Sequence, residues 1–341
     1  MANIFPSYAK VSPSYTEPGL IVTYAQASGA FAALAGGKPR VKIGSEDMVV
    51  YVNTLDLRTN VLANQSPVNL LPSADLVATY YNTPTYLIRT RAIWDHHDIA
   101  RAAHWSVSLP GAQDLAMRQG IFQQMRTALL YGFNPANGEG LLNTAGATSV
   151  TLPADSYGNT TASTYDNGQM ALFWLNQIVT LKTRMYQSGG NIKNDIVAIS
   201  PQRMFLQFAN ANIVQTTSYQ RPGAGTSTTG VVVKDVTAEN GDTFMWYFDD
   251  TLIGQGSGGT DALLLTMPEI EQPDIPGINT NEFGGLSPQL KDINVMYADM
   301  AAPMKIPTPT PDGAITELQE LRVTSGWCIR PQGITIVNMG Y

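Results

Sequence analysis

The strongest constraint on this chain lies between residues 112 and 131. Leu115, Ile121, Phe122, Met125, Leu129 and Leu130 recur there on one side of a helix, with Gln113, Gln119, Gln123 and Arg126 largely opposite. Gly132 stops that helix, Asn134-Pro135 turns the chain, and Gly138-Glu139-Gly140 leads into Leu141-Leu142-Asn143. A polar loop of Thr, Ser, Gly and Asn follows to about Thr164. Asp166 or Asn167 then caps a second predicted helix running to about Gln187, with Leu172, Leu175, Ile178, Val179 and Tyr186 as its apolar positions and Gly189-Gly190 closing it.

Extended segments surround the two helices. Pro6, Pro13 and Pro18 prevent helix over residues 1 to 23, which read as an arm. A small-residue helix is expected around Ala25 to Ala35, stopped by Gly36-Gly37 and Pro39. Met48 to Val52, Leu76 to Ala78 and Tyr86 to Ile88 read as strands flanking a long polar excursion that contains Pro67 and Pro72. An excursion of that length is usually functional or held by partners. After the second helix, Asp195 to Ile199 is a strand, and Ser200-Pro201 opens a short helix with Met204 and Phe208, an α/β unit. Strands are further predicted at Val231 to Lys234, Phe244 to Phe248, Ala262 to Leu265, Glu317 to Thr324 and Gly333 to Val337, and the proline-rich Pro303 to Pro311 reads as an extended linker.

Composition excludes several classes. With 341 residues and 44% hydrophobic content the chain can bury a real core, so disorder as the whole answer is ruled out. Charged residues are only 14%, against about 25% in an ordinary soluble domain, which suits a subunit lying flush against copies of itself, where a buried unpaired charge would oppose association. Secreted β-rich proteins share that composition. The opening Met1-Ala2-Asn3-Ile4-Phe5-Pro6 lacks a basic stretch leading into an apolar one, so no signal peptide is expected. No apolar run reaches the roughly 18 residues of a membrane span. A net charge of -7 without a Lys/Arg cluster argues against sequence-specific reading of nucleic acid.

No residue is assigned a catalytic, cofactor-binding or metal-binding role. The three histidines share one segment, Trp94-Asp95-His96-His97-Asp98 and His104-Trp105, yet adjacent His96 and His97 diverge on a strand or a helix, and neither HExxH nor CxxC accompanies them. A polar segment entering the long helix is the reading adopted. Any Ser-His-Asp triad would need that segment, and no G-x-S-x-G elbow supplies its serine. Gly254-Gln255-Gly256-Ser257-Gly258-Gly259 satisfies G-x-G-x-x-G, but Asp261 to Met267 ends at Pro268, too short for a pyrophosphate-binding helix, so a hairpin turn is expected. Gly36-Gly37-Lys38 fails as a P-loop, with Ala32 in place of the first glycine and Pro39 in place of Ser/Thr. Asp249-Asp250, Glu269, Glu271 and Asp274 read as carboxylates on solvated turns, and the single Cys328, within Trp327-Cys328-Ile329, as a buried strand residue.

The order of these elements resembles the major capsid proteins of tailed bacteriophages. The match lies in Gly111 to Tyr131 followed by Gly138 to Asn143, in the α/β stretch from about 165 to 300, and in the returning Leu318 to Pro331. The resemblance implies an α+β chain of the Hong Kong 97-type capsid fold. Its parts would be an N-terminal arm (1–44), an extended β-hairpin or E-loop (45–92), a peripheral domain (93–164) with its spine helix at 112–131, an axial domain (165–300), and return strands of the peripheral domain (301–341). It further implies a structural, non-enzymatic subunit without cofactor, closing as pentamers and hexamers into an icosahedral shell around double-stranded DNA, in the virion and assembled in the bacterial host cytoplasm. Expected partners are copies of itself, separate scaffolding and portal proteins, in some systems a cement protein, and DNA contacted non-specifically, with no membrane. Because the arm begins within the first residues, no N-terminal scaffolding region is expected to be removed by proteolysis, and the arm and E-loop should carry much of the contact between subunits. An encapsulin-like cellular shell and a secreted β-rich binding protein are the alternative readings. The latter makes poor use of the helices at 112 to 131 and 169 to 187.

Overall fold

The computed structural model describes residues 28–39, 41–58, 75–104, 107–185, 195–210, 212–213, 227–228, 233–234, 238, 242–269 and 293–341. The expected arm at 1 to 23, the excursion between 59 and 74, the first half of the strand expected at Val231 to Lys234, and Tyr186, Gly189-Gly190, Glu271 and Asp274 lie outside them, and the described half of that strand, Val233 and Lys234, is helical instead.

Two sheets and a spine helix organise the described residues. The strands are β1 (Val41–Lys42), β2 (Val49–Arg58), β3 (Asp75–Trp94), β4 (Thr148–Thr151), β5 (Asp195–Ser200), β6 (Asn212–Ile213), β7 (Ser227–Thr228), β8 (Thr243–Phe248), β9 (Asp261–Thr266), β10 (Val295–Met296), β11 (Ala298–Asp299), β12 (Met304–Pro309), β13 (Ile315–Thr324), β14 (Trp327–Cys328) and β15 (Ile334–Met339). The helices are α1 (His96–Ala103), α2 (Leu109–Leu130), α3 (Asn167–Met185) and α4 (Gln202–Asn210). One sheet runs β1-β11-β13-β3-β2 with β12 on β13, and the other runs β4-β15-β9-β5-β8.

The segments expected as separate strands at Leu76 to Ala78 and Tyr86 to Ile88 are one continuous strand, β3. Its first half pairs antiparallel with β2, from Arg58 opposite Asp75 to Val49 opposite Pro84. Its second half pairs with β13, from Thr85 opposite Thr324 to Trp94 opposite Ile315. The partner changes at Pro84, which has no N–H to give to a ladder.

The spine helix α2 starts at Leu109 with Pro110 in its first turn, earlier than expected, because proline suits a position whose N–H has no partner inside the helix. Met117, Ile121, Ala128, Leu129 and Leu130 are buried, whereas Leu115 and Phe122 stay exposed. The five-stranded sheet lies between two cores, and this explains why every residue of β9 is buried. Ile196, Ala198, Leu263, Leu265 and Val337 face α3 and α4 in one core, with Trp174 and Phe208. Val197, Ile199, Ala262, Leu264 and Ile334 face the other core, which holds Ile121, Leu129 and Leu130 of the spine helix with Ile88, Leu321 and Val323 of the first sheet. Truncating Leu129 or Leu130 to alanine would cost about 2 to 5 kcal/mol at such positions.

Several expectations require correction. The region Ala25 to Ala35 forms no α-helix where it is described, only 3₁₀ turns at Ala30–Ala33 and Ala35–Gly37, since two glycines and a proline leave too short a run. The buried stripe of α3 is Met170, Phe173, Trp174, Ile178, Leu181 and Met185, while Leu172 and Val179 are exposed: the bulky aromatics take the core side and rotate the aliphatics outward. The linker read at Pro303 to Pro311 contains the edge strand β12, paired on one side only with β13, an arrangement that tolerates proline. The glycine run at Gly254 to Gly259 is no hairpin turn. It connects β8 and β9 across the end of β5, which pairs with both. Finally, β4 and β15 both belong to the five-stranded sheet, so divisions at 164/165 and 300/301 do not follow the sheets.

Candidate assembly surfaces

The turn after the spine helix is a hydrogen-bonded junction between that helix and the six-stranded sheet. Glu139 accepts the Tyr86 hydroxyl of β3 at 2.7 Å on one carboxylate oxygen, and the Ser325 hydroxyl at 2.7 Å and the Asn134 amide at 3.1 Å on the other. Burial first and Glu139 second push the Tyr86 phenol up to about 12. Leu141 N–H and Leu142 N–H donate to the last carbonyls of α2, those of Leu129 and Leu130, and Asn143 Nδ2 donates to Tyr131 O at 2.9 Å. Those carbonyls would otherwise lack partners at a buried helix end. Gly140 has φ +88°, and a Cβ there would fall 2.3 Å from the Tyr131 carbonyl carbon. Glycine and asparagine in Gly138 to Asn143 are thereby given physical roles that the sequence pattern alone did not reveal.

Aspartates placed on solvated turns prove to be structural instead. Asp249 is buried, lies 3.9 Å from Arg126 of the spine helix, and accepts the Ser28 hydroxyl. Asp250 caps α4 from another segment, accepting the Gln202 amide at 2.7 Å. Ser200, expected as that cap, ends β5 and accepts Trp246 Nε1 at 2.7 Å. Asp261 is buried and holds Arg203 through two parallel hydrogen bonds of 2.6 and 2.7 Å, and Arg203 in turn lies over the Tyr341 ring. Glu269, next to the segment beyond the described residues, bridges to Ile293.

The histidines open and close α1, a short helix separate from the spine helix. Asp95 caps it by accepting the Asp98 amide at 2.7 Å, which holds its carboxyl below the usual carboxylate range, with His97 and His96 adding to the effect. Contrary to the expectation that they diverge, the His96 and His97 rings meet, tilted by 40° with centroids 3.9 Å apart. His104 lies at the C-terminal end. Among the described residues no group of three or more His, Cys, Asp or Glu side chains could hold a metal ion. Cys328 is a buried residue of β14, and burial pushes its thiol up to about 12.

What the surface offers is apolar area on extended elements. On the β2–β3 hairpin, Met48, Tyr51 and Tyr80 are 73%, 62% and 68% exposed, with Tyr51 and Tyr80 in edge contact at 5.9 Å and Tyr81 exposed beside them. Leu172 and Val179 on the outer side of α3 form a second such area. Exposed aromatic residues on a two-stranded ribbon with no layer beneath them among the described residues are the kind of surface that a partner covers.

No family model and no curated protein sequence matches the chain. Solved structures do. Over 96% of its length, and 97% of the other chain, it is similar to the capsid of Myoviridae phage XM1, with a TM-score of 0.67 at 10% identity. The fold is the Hong Kong 97 type. The same Hong Kong 97-type path is shared with the capsid of an empty GTA particle (97% of this chain, 96% of that chain, TM-score 0.56, 9% identity) and with the capsid of the cyanophage P-SCSP1u (95% and 92%, 0.55, 9%). At such identities the likeness describes the route of the Hong Kong 97-type chain and not its side chains.

Proposed function

We propose that this chain is the major capsid protein of a tailed bacteriophage, a structural subunit without enzymatic activity that assembles into the icosahedral shell around double-stranded DNA. The observation that carries this reading is the nearly end-to-end similarity to the phage XM1 capsid, 96% of this chain against 97% of that one. The exposed tyrosines of the β2–β3 hairpin support it, because a ribbon of this length has little core of its own and gains stability from a neighbouring subunit. On this reading the hairpin is the E-loop, the six-stranded sheet with α2 is the peripheral domain, and the five-stranded sheet with α3 and α4 is the axial domain. Copies of the chain meet as pentamers and hexamers, with scaffolding, portal and in some systems cement proteins as separate partners, in a virion assembled in the bacterial host cytoplasm.

Negative-stain microscopy of the purified chain, alone or with the phage's scaffolding protein, should reveal closed particles or rings of five and six. Single chains at all concentrations by size-exclusion chromatography would overturn the proposal. Particles of the same geometry isolated from uninfected cells with a protein cargo would favour an encapsulin-like shell.

A further inference from the structure

We infer that the outward edge of β12 is closed to strand addition, and that Pro307 and Pro309 are what close it. β13 is the only strand paired with β12 among the described residues. At the end of their hairpin Thr310 N–H donates to Ala314 O at 2.8 Å, so Thr310 and Ala314 form a hydrogen-bonded pair. Bonded and non-bonded pairs alternate along an antiparallel ladder. Counting back through the register, Thr308 opposite Thr316, Ile306 opposite Leu318 and Met304 opposite Glu320 are the pairs that bond. Pro309, Pro307 and Lys305 lie between them, and their backbone nitrogens and carbonyls point away from β13. The prolines therefore take nothing from the ladder and remove N–H groups from the free edge alone.

Without them this strand would invite pairing. Every residue of β12 is exposed, Met304 and Ile306 included, and an exposed edge bearing apolar side chains is a template for another chain. A charged side chain can blunt such an edge, but the one charge of β12 is used elsewhere: Lys305 Nζ donates to Asp114 of the spine helix and lies 3.9 Å from Glu317. Closure therefore falls to the prolines. Two copies meeting antiparallel about position 307 would need an N–H at each of positions 305, 307 and 309, and only Lys305 has one. At the other two positions the pyrrolidine ring stands where the donor would be. Carbonyls brought against those rings would lose water and gain no hydrogen bond. A strand of any other chain meets the same two gaps.

Pro307→Thr with Pro309→Thr restores both donors and leaves the bonded pairs of the β12–β13 ladder as they are. Sedimentation velocity of the unassembled full chain, without scaffolding protein, tests the inference independently of shell formation. The dissociation constant for self-association of the double variant should fall at least about tenfold below that of the wild type, since each restored donor adds a hydrogen bond between copies. In the same samples, amide hydrogen exchange over residues 304–311, read by mass spectrometry, should slow at least about tenfold on association, because the outward N–H groups at 305, 307 and 309 become paired. Unchanged association overturns the inference, and so does association that leaves those amides as exchangeable as in the single chain. If the double variant does not fold, each single variant is read in the same way with one donor restored.

Discussion

Tyr86, in the middle of β3, donates its hydroxyl to Glu139, in the turn after the spine helix, at 2.7 Å. Glu139→Ala removes this bond together with those from Ser325 and Asn134, and should cost about 2 to 3 kcal/mol in urea unfolding, as expected for hydrogen bonds to a charged group. The Tyr86 phenol is raised to about 12, so the folded chain retains a proton that the unfolded chain loses above about pH 10. Its contribution is fully present below pH 10 and is lost as pH rises to 12. Tyr86→Phe should flatten that part of the stability profile relative to wild type.

Two glycines should respond in opposite directions to alanine. At Gly326 a Cβ would fall 2.2 Å from the Leu129 carbonyl oxygen, so Gly326→Ala should destabilise by about 3 kcal/mol or more through forced separation of the helix end from the β13–β14 turn. Gly120, inside α2, has nothing within 4 Å of an added Cβ, and Gly120→Ala should stabilise by about 0.5 to 1 kcal/mol. Unfolding midpoints of the two variants check both signs.

Asp299 supplies a prediction in the acid range. Burial pushes its carboxyl up to about 6, with Lys42 pulling the other way. The folded chain therefore binds a proton between about pH 6 and pH 4 that the unfolded chain does not, so the ionised form penalises folding above pH 6 and the penalty disappears below pH 4. Asp299→Asn should stabilise by about 1 kcal/mol at pH 7, allowing for solvent screening, and the difference from wild type should vanish by about pH 4. A constant difference across that range would contradict the assignment.

The hairpin tyrosines separate folding from assembly. Tyr51→Ser, Tyr80→Ser and Tyr81→Ser together should change the unfolding free energy of the isolated chain by only about 1 kcal/mol, since all three are exposed. On the proposed function they should nevertheless abolish closed particles. Particle counts and unfolding midpoints on the same preparation decide the point.

Shells built from this chain should also dissociate to single chains in boiling detergent. The lysines are Lys10, Lys38, Lys42, Lys182, Lys193, Lys234, Lys291 and Lys305, so neither β2 nor β3 carries an amine that could attack an asparagine of a neighbour. A ladder of covalent oligomers on a reducing, denaturing gel would refute this.

How much of this was legible beforehand depended on range. Helix stops and starts are local: Gly132 after α2 and Asp166 before α3, which accepts the Gln169 amide at 2.9 Å, could be read from a few neighbouring residues. The buried side of α3 could not, because Trp174 packs against Trp246 and Phe208, far along the chain, and these set the rotation of the helix. Asp249 read as solvent-facing because Arg126 is distant in sequence and the two come together only in the fold, and the pairing of Asp261 with Arg203 left no local signal for the same reason. The edge strand β12 was hidden by its prolines. The only available signal was the two-residue alternation of Met304 and Ile306, weak beside Pro303, Pro307, Pro309 and Pro311.

β3 has a mechanical consequence. Twenty residues of extended chain measure roughly 65 Å, and one half is clamped by β2 while the other is clamped by β13. Tension applied along the hairpin therefore travels through a single covalent backbone, with no loop to stretch, directly into the strand that carries Tyr86 and Ile88 against the spine-helix region. The β3–β13 ladder meets such a load in shear, its residue pairs resisting together instead of peeling apart in turn. A displacement at one end of β3 is thus delivered to the other as translation, and the hairpin behaves as a rod rather than a tether.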